Sequence, residues 1–540
     1  MMPANNAELK QDKRISRTLS KAVSLHLEGK LDAAARTLER AIESGEQDAT
    51  LYSALGHIQY EMQDFEGAAR TYAKLVEVDP QHRTAHFNLG VCQSNLKEWQ
   101  GAVDSFNQAV AIDPGRSEAL LGLGIALVHA ERPDEAISAF DRYLLRYPEH
   151  EHAVFGRGVA LQLTGRFDEA SDSYKRVLAK NPRSEEALSN LVAMFLKRPD
   201  FAMAKKYAQM LMELRQDSPA AMEALATVAF QEGDYVTASK FCRSLVEALP
   251  ERFEHWFNLG VAYQKLGNLQ KAVQAYNQAA TVNPNSCQTH LNLGVAHQEM
   301  GDGQAARAAY ERALKIDKDQ PGVIWNLALI LEQQGETAWA EKLYAQIPDT
   351  AAEWGDATFR LGYLRLLRGD FASAADTYES CLRKRPEWAE AHLNAGIAYA
   401  RASQGESAKR AFEMALALKP DSPDAVRGLA ALALEQQDFD QAYDLHRRLI
   451  DIGEHSAELF YNAGLICQKR GQMDDAINYY QLALKENPQF PEALLNLGHA
   501  LMQSGQEEEA RSCWRKAVRE KPDLAQSYFE PRYAGATGAA

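Results

Sequence analysis

Between Phe253 and Ser286 the apolar side chains keep helical spacing and are interrupted once. Trp256, Leu259, Gly260 and Tyr263 fall at i, i+3, i+4 and i+7, the stripe of one helix face. Gly267 interrupts the stripe, Ala272, Tyr276 and Ala279 resume it on a second helix, and Pro284 ends that helix. Two helices this short cannot bury their apolar faces against each other alone, so the pattern predicts stacking on further copies of itself.

The copies are present. With Phe253 as position 1, a 34-residue frame runs from Ile15 to Leu524 without insertion or deletion, giving 15 repeats. Position 20 is alanine in all 15, from Ala34 to Ala510; position 8 is glycine in ten, alanine in four and Val192 once; position 32 is proline in ten. Small residues at 8 and 20 predict close crossing of the paired helices. Positions 24 and 27 are expected to fill the layer between repeats, and proline at 32 to stop the second helix. This period and pattern resemble the tetratricopeptide repeat. The resemblance implies an all-α fold, a right-handed α-solenoid superhelix of helix-turn-helix units in which each repeat touches mainly its neighbours.

The expected organisation is a polar N-terminal extension over 1–14, the repeats over 15–524, and a partial capping helix with a flexible tail over 525–540. In that last stretch Tyr528 and Phe529 would cover the final repeat before Pro531. Two places depart from the pattern. In 185–218, Val192 replaces glycine, Pro199 enters the inter-helix turn and Ala208 replaces an aromatic. In 344–356, Pro348 comes early, which predicts a short second helix. Weaker packing or altered curvature is expected at both.

Charge and composition narrow the function. The net charge is −15, from 59 basic against 74 acidic residues, which argues against gripping nucleic acid or anionic lipid. No segment is long and apolar enough to insert in a membrane, and the N-terminus lacks a secretory signal, so the expected location is cytoplasmic. The six cysteines are scattered without a CxxC pair and read as core fillers. The Gly122/Gly124 and Gly156/Gly158 pairs fall inside first helices, where no phosphate-cradling turn exists. His82/His86, His150/His152 and His290/His297 lack the spacing of a metal motif, so neither a metal nor another cofactor is expected. Outside the repeats too few residues remain for a catalytic domain, and the reading is of a non-enzyme.

The informative surface is then the concave one, which in this family is lined by positions 2, 5, 6, 9, 12 and 13 of the first helices. Position 6 carries Asn88, Asn190, Asn258, Asn292, Asn326, Asn394, Asn462 and Asn496. An asparagine amide both donates and accepts, so a row of them can hold an extended peptide backbone without reading its sequence. The row resembles the asparagine ladder of the O-linked N-acetylglucosamine transferase superhelix, here without a catalytic domain. Ser20, Ala54, Gly122, Gly156, Ala224, Arg360 and Gly428 take the position in the other repeats. Large apolar residues flank the row, with Phe257, Trp325, Phe359 and Tyr363 as candidate pocket walls, the last three forming one pocket. The six positions carry 13 acids and six bases, many of the acids in first turns where they complement the helix dipole. The expected partner is therefore a neutral to basic, extended polypeptide bound by a scaffold or adaptor. Two other readings stand beside it: a substrate-recruiting subunit of a glycosyl- or sulfotransferase system, and a structural solenoid that self-associates through its terminal repeats.

Overall fold

Alanine at position 20 accounts for the shape of each pair. In the computed structural model, which describes residues 4–46 and 48–525, all 15 of these alanines are fully buried. Among the described residues there are 30 α-helices, two per repeat, and no strand. Within each of the two units into which the chain divides, each helix packs on the next, and first helices of neighbouring repeats also touch, as Ser117–His129 does Glu151–Leu163 and Ala389–Arg401 does Pro423–Glu435. Within each unit, first helices therefore share one face of the stack and second helices the other. This is an α-solenoid, in which stability is carried by intra-pair and nearest-neighbour contacts.

The chain divides into two units, Met1–Asn268 and Leu269–Ala540. The first holds the helices from Ala4–Leu27 to Phe253–Lys265, the second those from Leu269–Val282 to Glu507–Glu520. The division thus falls inside repeat 8, between its two helices. At the N-terminus the polar extension is helical from Ala4 and continuous with repeat 1. Tyr528, Phe529 and Pro531 lie outside the described residues.

Local chemistry sets the ends of the helices. Aspartates at position 16 cap second helices, as Asp64 does by accepting from the Gly67 amide at 2.9 Å and Asp302 from the Ala305 amide at 3.0 Å. Serines just before first helices act alike, Ser286 accepting from Thr289 at 3.2 Å. Position 15, the turn between the two helices, has a positive φ in every repeat: nine glycines, and Gln63, Lys97, Glu131, Pro199, Ser403 and Gln437. A proline ring holds φ near −65°, so Pro199 is the residue least suited to that turn.

In repeat 6, Val192 and Ala208 exchange bulk between the two helices, and both are buried in one continuous core with Leu191 and Tyr207. In repeat 10 the second helix is only Thr337–Tyr344, eight residues, and Ile347 is buried after it.

Candidate peptide-binding face

The residue at position 24 organises the joint between repeats. Its ring lies over position 8 of its own repeat. A Cβ added to Gly124 would meet Phe140 at 2.7 Å, one on Gly158 would meet Tyr174 at 2.9 Å, and one on Gly362 would meet Tyr378 at 2.8 Å. Glycine at 8 is thus the seat of a ring as well as a place of close helix crossing. Where position 24 is small, position 8 is larger, as with Ala208 and Val192.

The other side of the same ring faces position 6 of the next repeat, and there the chain uses two joints. In the first, phenylalanine meets glycine. A Cβ on Gly122 would lie 2.7 Å from Phe106, one on Gly156 2.5 Å from Phe140, and one on Gly428 2.5 Å from Phe412. No side chain fits at those positions without moving the ring. In the second, tyrosine meets asparagine. The Asn292 amide donates to the Tyr276 hydroxyl at 3.3 Å; Asn88 and Asn394 lie near the hydroxyls of Tyr72 and Tyr378, but the buried Tyr378 hydroxyl makes no hydrogen bond. Asn190, Asn326 and Asn496 also follow a tyrosine, namely Tyr174, Tyr310 and Tyr480, and are half-buried. The Asn496 amide donates to Tyr461, 2.9 Å away.

These tyrosines are anchored from a second direction. Tyr174, Tyr310 and Tyr480 each donate their hydroxyl to a glutamine at position 12 of their own repeat, Gln162, Gln298 and Gln468, at 2.8 Å. In repeat 10, Tyr344 donates to Glu332 at 2.8 Å, and Arg360 closes the set on the same carboxylate at 2.9 Å. Burial pushes the hydroxyls of Tyr174, Tyr276, Tyr310 and Tyr480 far above their ordinary range, so they stay neutral hydrogen-bonding groups.

Two asparagines of the eight follow neither tyrosine nor phenylalanine. Cys242 precedes Asn258 and His446 precedes Asn462, and these two amides are the ones that are exposed. Six of the eight asparagines, each 16 residues after a tyrosine, are half-buried, and the two that follow Cys242 and His446 are exposed. The signal was present in the chain as a correlation at a spacing of 16 residues, tyrosine with asparagine and phenylalanine with glycine.

The flanking aromatics divide too. Rings at position 5 lie against the ring at 24 of their own repeat: Trp325 is 5.6 Å from Tyr344, and Phe359 is 5.7 Å from Tyr378. Phe359 also stacks on Trp388 at 4.6 Å. Phe257 is half-buried, 5.8 Å from Phe253. Trp325 and Phe359 are thereby engaged in packing, whereas Tyr363 is 42% exposed, with Leu367 exposed one turn on.

Charge on this face is partly neutralised in place. Asp356 pairs with Arg385 at 3.1 Å and Glu492 with Lys521 at 2.8 Å, each an acid at position 2 held by a base at position 31 of its own repeat. Buried cysteines offer no nucleophile, since burial pushes Cys92 up to about 11 and Cys242 up to about 12. No helix among the described residues is long and apolar enough to cross a membrane.

Family models of the tetratricopeptide repeat match residues 53–117, 121–185, 359–408 and 393–457, residues 297–358 and 468–535, and residues 253–286. The chain belongs to the tetratricopeptide repeat family. Tetratricopeptide repeats are generally non-catalytic and serve as protein-interaction scaffolds. No curated protein matches the chain. Among solved structures, MamA is 23% identical over 35% of this chain and 100% of its own, with a TM-score of 0.30. YrrB, described as a TPR protein with an unusual peptide-binding site, is 23% identical over 35% of this chain and 98% of its own, with a TM-score of 0.33. Naa15/Naa10 bound to HypK-THB matches at 12% identity over 96% of both chains, with a TM-score of 0.35. At these scores the likeness carries nothing about a partner.

Proposed function

We propose that this tetratricopeptide repeat protein is a non-catalytic, cytoplasmic scaffold that holds extended, neutral to basic polypeptide on its first-helix face. The observation that carries the reading is the pair of exposed amides, Asn258 and Asn462, at a repeat position where the other six asparagines are half-buried. Each stands one turn after an exposed glutamate, Glu254 or Glu458, and each helix ends on an exposed lysine, Lys265 or Lys469. Neither glutamate is in an ion pair among the described residues. An amide that pairs with a peptide backbone, beside a carboxylate that receives a basic side chain, is a two-point contact. The same set occurs once in each unit, Glu254/Phe257/Asn258/Lys265 and Glu458/Tyr461/Asn462/Lys469. Tyr363 and Leu367 supply an exposed apolar step in the second unit for a partner side chain.

Selection of peptides from a display library on the full chain tests this. Recovered peptides should carry Lys or Arg, and Glu254→Gln with Glu458→Gln should weaken them roughly ten-fold, the loss of one charge-assisted contact. Peptides that are acidic, or that bind the double variant unchanged, would remove the reading.

A further inference from the structure

Outside the asparagine row, one cluster of chemically able side chains comes together from two repeats. His26 lies in the last turn of the helix Ala4–Leu27, and His57 and Glu61 lie one turn apart on Ala49–Glu61. Both are first helices, of repeats 1 and 2, and they pack on each other. His26 Nε2 is 2.6 Å from one oxygen of Glu61, and His57 Nε2 is 3.2 Å from the other. All three donor atoms lie within 4.8 Å of one another.

We propose that His26, His57 and Glu61 form a site for a borderline transition-metal dication, zinc or nickel in class. Two imidazole nitrogens and one carboxylate match what such ions select, whereas calcium and magnesium prefer all-oxygen sets. A metal about 2.1 Å from each ligand needs donor atoms about 3–3.5 Å apart, close to the spacing present. Reaching it requires the His26–Glu61 contact to open slightly and the two imidazoles to draw together, a movement for which His57, its side chain 62% exposed, has room. Lys30 and Glu28, just after His26 in the chain, pair with each other at 2.8 Å. Three protein ligands leave a coordination position open to water or to a donor from a bound partner. Because the ligands come from separate first helices, the ion would tie repeat 1 to repeat 2 and stabilise the folded state by mass action.

The test is isothermal titration of the full, chelator-treated chain with zinc chloride, and with magnesium chloride as control. One equivalent of zinc should bind that is lost in His57→Asn and in Glu61→Gln, each weakening it roughly ten-fold or more. The melting temperature of the wild type should rise with zinc, and that of the variants should not. Circular dichroism on the two variants, both at partly or largely exposed positions, checks that they fold; if one does not, the other carries the test. An unchanged zinc stoichiometry in a folded variant, or equal affinity for magnesium, would overturn the proposal and leave a histidine–glutamate ion pair.

Discussion

The joint at Phe140 and the joint at Tyr276 do the same job by opposite means. At Phe140 the ring presses on bare backbone from both sides, Gly124 in its own repeat and Gly156 in the next, and shape alone fixes the contact. At Tyr276 the ring carries a hydroxyl that takes a hydrogen bond from Asn292 of the next repeat. The first joint tolerates no side chain at position 6; the second has room for one with a donor. What stands at position 6 is therefore decided 16 residues earlier. An asparagine there is half-buried wherever tyrosine precedes it, and exposed where tyrosine does not.

The sharpest way to break this contrast is to put the wrong side chain in the shape-only joint. Gly156→Asn drives a Cβ to within 2.5 Å of Phe140 and should cost about 2–3 kcal/mol in chemical denaturation. Adding Phe140→Tyr should recover part of the loss, and a double-mutant cycle with no coupling would show that the two joints are not alternatives. Removing the hydroxyl from the polar joint costs less. Tyr276→Phe should lose about 1 kcal/mol, the worth of one hydrogen bond, and Asn292→Ala a similar amount.

A third variant converts one joint to another. His446 is buried and donates to the Ala442 carbonyl at 2.8 Å, and burial holds its imidazole below the ordinary range. It is thus neutral when folded and takes up a proton more readily when unfolded. Its contribution to stability is full above the unfolded value of about 6.5 and falls away as pH drops below it. His446→Tyr should flatten that decline, measured as melting temperature from pH 7.5 to 5, and gain up to about 1 kcal/mol by engaging Asn462. Smallest of all in stability is the pair Asn258→Ala and Asn462→Ala. With no tyrosine before either, their melting temperatures should stay within the scatter of surface substitutions, about 0.5 kcal/mol.

Much of the fold was legible because the repeat period makes 15 readings of one pattern. Ala34 to Ala510, the glycines at position 8 and the early Pro348 each carry their structural meaning in residue type alone. The roles of the asparagines were not legible column by column. Asn292 and Asn258 are identical in type and position, and only Tyr276 and Cys242, on the preceding second helices, tell them apart. The packing of Trp325 and Phe359 was not legible for the same reason: a large ring at position 5 does not show by itself that the ring at position 24 lies against it. His26, His57 and Glu61 were harder still. Their meeting depends on how the last turn of one first helix lies on the next, and no motif spacing encodes that.

The division of the asparagines is the central claim, and one paired measurement tests it. Two double variants, Asn258→Ala/Asn462→Ala and Asn292→Ala/Asn394→Ala, are compared in melting temperature and in affinity for a library-selected peptide. The account predicts that the first pair loses binding roughly ten-fold with melting unchanged, while the second melts several degrees lower and, below its transition, keeps most of its affinity. The opposite pattern, destabilisation from the first pair and lost binding from the second, would contradict it.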